Sequence, residues 1–76
     1  MTRLNVNDAR CEALFASRLQ PSDAPTPEAV LAEISAAIRQ FGIRGCASRM
    51  AREFGDHPEA ALDRMRWARQ QVTLAV

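Results

Sequence analysis

The chain has 76 residues, ten Arg against nine carboxylates and no Lys, for a formal net charge of +1. That length holds one domain with a modest core, and 47% hydrophobic with 25% charged residues is too apolar and too balanced for a disordered chain. No stretch approaches the roughly 20 apolar residues of a membrane span, and the N-terminal residues lack the basic and apolar regions of a secretory signal, so a cytoplasmic protein with no membrane partner is expected.

Ala, Leu, Arg, Glu and Gln dominate, β-branched residues are sparse and Tyr is absent. This composition favours an all-α fold, and the periodicity predicts a small four-helix domain over residues 1–76. The first helix is expected over about 7–19, capped by Asn7, with Cys11, Leu14, Phe15 and Leu19 on one face. Residues 20–26 carry two prolines and read as an extended connector. Thr26, Pro27 and Glu28 then make a cap, a first-turn proline and a dipole-matched acid, opening a helix over 27–41 with Gly42 just past its end. After a corner at 43–45, a short helix is expected over 46–54. A fourth follows over 57–71, with Asp56 as its cap, Glu59 completing a capping box, and Ala61, Met65, Ala68 and Val72 facing inward.

Charge is unevenly distributed. Residues 1–38 carry three Arg against five carboxylates, and residues 39–76 carry seven against four. Such a gradient steers acidic partners, but mildly. Catalysis finds no footing: there is no Gly-rich phosphate cradle, and neither Cys11 nor Cys46 has a base beside it in sequence. A non-enzymatic protein is expected, without cofactor, metal or evident small-molecule substrate. The two cysteines lie too far apart for a metal knuckle and read as buried structural thiols. His57, the lone histidine, reads as solvent-exposed or capping beside Pro58 in the first helical turn.

The segment Met50-Ala51-Arg52-Glu53-Phe54-Gly55 resembles the first helix of bacterial repressor-type helix-turn-helix units, with Ala51 small at the helix crossing, Gly55 at the turn and Ala61 facing back. That resemblance covers about a third of the chain. It implies a DNA-binding regulator using Arg44, Ser48 and Arg49 on phosphates and His57, Ala60, Arg64 and Trp67 toward bases. Two features depart from the pattern: Asp56 holds a turn position that is usually apolar, and Asp56, Glu59 and Asp63 place carboxylates where a groove-facing helix avoids them. Phe54-Gly55-Asp56-His57-Pro58-Glu59 and Arg64-Met65-Arg66-Trp67-Ala68-Arg69 also resemble segments of short, functionally unassigned helical proteins of high-GC actinobacteria. That likeness implies no activity.

At 100° per residue, Trp67 points away from the inward line of the last helix, on a side shared with Asp63, Arg66 and Gln70. With Arg64 it has the composition of an interface anchor. Leu14 and Phe15 offer a second apolar patch, which can pack on the domain itself or in a partner's groove. The leading expectation is a small regulatory or adaptor protein that binds another protein or forms a homodimer, with helix-turn-helix DNA binding as the alternative.

Overall fold

A computed structural model describes residues 5–76; residues 1–4, part of the stretch read for a secretory signal, lie outside the described residues. The described residues are all-helical, with α1 at Val6–Ala16, a 3₁₀ turn at Pro21–Asp23, α2 at Pro27–Asp56 and α3 at Pro58–Ala75. Among the described residues there are thus three α-helices where four are expected, the second made of two helical arms that meet at a kink at Gly42.

Helix α1 is capped by Asn5, not Asn7: the Asp8 amide donates to Asn5 Oδ1 at 3.1 Å. It stops at Ala16, three residues before the expected end. The cause is Ser17, whose hydroxyl donates back to the Leu14 carbonyl at 2.7 Å while its backbone turns extended. The connector is not uniformly extended either. Its Gln20 amide donates to Asp23 Oδ2 at 2.8 Å across the 3₁₀ turn, and Ala24 leaves it at a left-handed φ of 45°.

Helix α2 begins as its sequence dictates, with Thr26 Oγ1 accepting from the Ala29 amide at 3.1 Å. Thirty straight residues would span about 45 Å, yet the longest dimension of the molecule is 32 Å. The helix bends at Gly42, whose φ of 73° and ψ of 166° belong to a region that side chains exclude. Helical geometry resumes at once, so residues 43–45 belong to the helix and do not form the expected corner. The bend presses Phe41 onto Gly45, where a Cβ would lie 3.0 Å from Phe41 Cβ. Across the bend the buried Cys46 thiol donates to the Ala37 carbonyl at 3.7 Å.

Asp56 is the last residue of α2 and does not cap α3. His57 alone joins the two helices: its amide donates to the Glu53 carbonyl at 2.7 Å, and its own carbonyl accepts from Ala61 at 2.8 Å. No side chain caps α3. That helix runs past the expected end at 71 to Ala75, held by fully buried Val72 and by Thr73 Oγ1 donating to the Arg69 carbonyl at 2.9 Å.

All three helices pack on one another around a single core. Half of its buried positions are Ala or Cys, namely Cys11, Ala13, Ala37, Cys46, Ala61 and Ala68, which brings the helix axes close but buries little apolar area per residue. Leu14 and Phe15 supply much of the remainder, at 0% and 3% exposed. Helix α1 thus packs on its own domain, and these two side chains are not a free surface for a partner.

Burial raises the pKa of both thiols, offset in part at Cys11 by Arg69 and at Cys46 by Arg49. The folded state therefore holds these protons more tightly than the unfolded chain. Stability from this source is full below the ordinary thiol value of 9.0 and declines as pH rises above it. Native protein should react slowly with a thiol reagent at pH 8, and both thiols rapidly once urea unfolds it; fast stoichiometric labelling of folded protein would contradict this burial.

Candidate functional site

Arg64 was expected at a partner surface, but its guanidinium is committed inside the domain. Nε donates to the Phe15 carbonyl at 2.8 Å, and Nη2 to the carbonyls of Ser17 at 2.9 Å and Leu19 at 3.0 Å. A longer contact of 3.5 Å reaches Leu14. These oxygens belong to the end of α1 and the chain leaving it, where helix carbonyls lack intrahelical donors and where the helix dipole favours a cation. The guanidinium carbon also lies 5.6 Å from the Phe15 ring centre and 5.2 Å from that of Trp67. Desolvation lowers the Arg64 pKa, against the pull of Glu53. Arg64 is thus a clasp closing α1 onto α3.

Trp67 does not point outward as expected. It is half-buried and packs against the core cluster. The packed arc of α3 is wider than the Ala61, Met65, Ala68 and Val72 line, because Arg64, Trp67 and Gln71 are also partly covered. The ring lies at the rim of that arc. Asp63, Arg66 and Gln70 are exposed beside it, with Arg66 3.8 Å from Asp63 in an ion pair open to water.

The residues assigned to a DNA surface are scattered in role. Arg44, Ser48, Arg49, His57 and Ala60 are exposed, whereas Arg64 and Trp67 are engaged in packing. Ala51, needed at a helix-turn-helix crossing, faces solvent, so the corner between α2 and α3 does not pack through it. Gly55 lies within α2 and makes no turn.

A trough of about 500 Å³ runs between the end of α1 and the bent α2, a size common among ligand clefts. Ala16, Ser17 and Arg18 form one wall, and Glu33, Ala36, Ala37 and Gln40 the other. Phe41 and Arg49 close the end at the bend, with the Arg49 guanidinium carbon 3.7 Å from the Phe41 ring centre. The Ser17 hydroxyl is already engaged, donating to Leu14 and accepting from the Leu19 amide at 3.2 Å. No protein family, curated protein or solved structure matches the chain.

Sequence reasoning missed this trough because its parts meet only through the bend. Phe41 and Arg49 are eight residues apart, a spacing that places them on one face of a straight helix only loosely. The positive φ of Gly42 turns one arm against the other. The glycine was the available signal. Among the described residues no group of three or more His, Cys, Asp or Glu side chains gathers as a metal cage requires, and no helix is long and apolar enough to cross a membrane.

Proposed function

We propose that this protein is a small, non-enzymatic regulatory or adaptor module that docks onto another protein, or onto a second copy of itself, through the outer edge of α3. The observation that carries this reading is the pairing of Trp67 with Leu74. Leu74 is 70% exposed and lies two helical turns beyond the half-buried indole on the same line of the helix. A rigid aromatic and an exposed aliphatic side chain on one line of the helix, with Asp63 and Gln70 exposed around them, have the make-up of an interface centre.

Leu74 is the residue to change, because Trp67 also supports the core. Leu74→Asp should leave the circular dichroism and melting temperature almost unchanged, since exposed positions move stability by only about 0.5 kcal/mol. It should weaken self-association in sedimentation velocity, or abolish photo-crosslinking from position 70 to a partner in the native cell, by roughly tenfold or more. A chain that stays monomeric to millimolar concentration and crosslinks to nothing would defeat the proposal.

A further inference from the structure

We infer that the trough at the bend of α2 binds an acidic peptide segment, with one Asp or Glu carboxylate gripped between Arg49 and Arg18. Both arginines line the trough, both are exposed, and among the described residues neither forms an ion pair. Arg49 is moreover held in place. Its guanidinium carbon lies 3.7 Å from the Phe41 ring centre, and a guanidinium so packed loses less freedom when it takes a carboxylate. The alanines at 16, 36 and 37 keep the walls low enough for a backbone to approach.

The wall also indicates what the ligand is not. Glu33 stands half-buried on the same face of α2 as Gln40, seven residues or about 10 Å from it along the helix. Negative charge is welcomed at the bend and opposed at the other end. A nucleic-acid strand, charged at every nucleotide, would meet Glu33 wherever it met Arg49. A peptide with one well-placed carboxylate does not.

This inference takes from the docking reading only that the peptide belongs to a partner; the trough is separate from Trp67 and Leu74. It is tested by titrating the ¹⁵N-labelled full chain with an acetylated, amidated Ala-Ala-Leu-Glu-Ala peptide, its Lys-for-Glu counterpart, inorganic phosphate and a short DNA duplex. The acidic peptide should cause saturable shifts at the Arg18 and Arg49 side chains and at the Ser17 and Gln40 amides. R49Q and R18Q should each weaken it about tenfold, the worth of a hydrogen-bonded charge pair. E33Q should tighten it, and L74D should leave it unaltered. Arg49 is exposed, so R49Q should keep the wild-type circular dichroism. The proposal falls if the acidic peptide gives no saturable shift there, if R49Q binds as wild type, or if the Lys peptide, phosphate or DNA does equally well. Failure here alongside an intact L74D effect removes the trough and leaves the α3 edge standing.

Discussion

Arg64→Ala should lower the unfolding free energy by about 2–4 kcal/mol and detach the end of α1 from α3. Three short hydrogen bonds from one guanidinium satisfy the Phe15, Ser17 and Leu19 carbonyls, and the variant supplies no donor in their place. Each bond to a charged donor contributes about 1.5–3 kcal/mol in favourable settings, so a simple sum would exceed the stated range. The sum overshoots because two shallow grooves of about 240 and 370 Å³ flank the guanidinium, and water entering them can rehydrate the freed oxygens. The loss of packing against Phe15 and Trp67 adds to the cost. In a domain of this size the melting temperature should fall by roughly 10–20 °C. Arg64→Lys should recover only part of it, since one ammonium cannot reproduce the planar fork. Hydrogen exchange should quicken first at the end of α1, and Trp67 emission should shift to the red. A melting temperature within a few degrees of wild type would show that the clasp is incidental.

The second large effect is expected at Gly42. Its φ of 73° with ψ of 166° is closed to L-residues, so Gly42→Ala should cost about 1–3 kcal/mol of strain if the bend persists. The alternative, a straightened α2, would avoid the strain only by parting Cys46 from Ala37 and exposing the core they share, which costs more. Strained but bent is therefore the expected state, seen as a lower denaturant midpoint with an unchanged radius of gyration. Beyond the adjacent helix backbone, no atom of the described residues lies within 4 Å of a Cβ at this position, so the penalty is conformational. A synthetic chain with D-Ala at position 42, which accepts positive φ, should regain the lost stability. If D-Ala and L-Ala destabilise equally, backbone handedness is not the cause.

Local features were readable from the chain because local physics sets them. Thr26, Pro27 and Glu28 open a helix wherever they occur before an apolar stripe, and Ala61, Met65, Ala68 and Val72 mark an inward line by spacing alone. Gly42 was correctly a break in helical geometry, but two helices joined by a corner and one bent helix have the same sequence signature. Gly55 shows the converse: it looked like a turn, yet the packing of Phe54 against Phe15, with ring centres 5.9 Å apart, carries the helix through it. Arg64 gave no local sign of its role. Its acceptors lie 45 to 50 residues away, and a carbonyl leaves no imprint on the side-chain pattern. Trp67 was misplaced for a related reason. The width of a buried arc depends on how closely neighbouring helices approach, and here Ala and Cys let them approach closely.

The joint between α2 and α3 is a single residue, His57, hydrogen-bonded into both helices. The passage from α1 to α2 instead spans residues 17–26 and includes an exposed 3₁₀ turn. Chain length is therefore free to vary in one place and not in the other. An inserted loop, tag or reporter at Ser22 can bulge into solvent without moving a helix. One extra residue at position 57 would rotate all of α3 by about 100°, turning Val72 toward water and the clasp away from its oxygens.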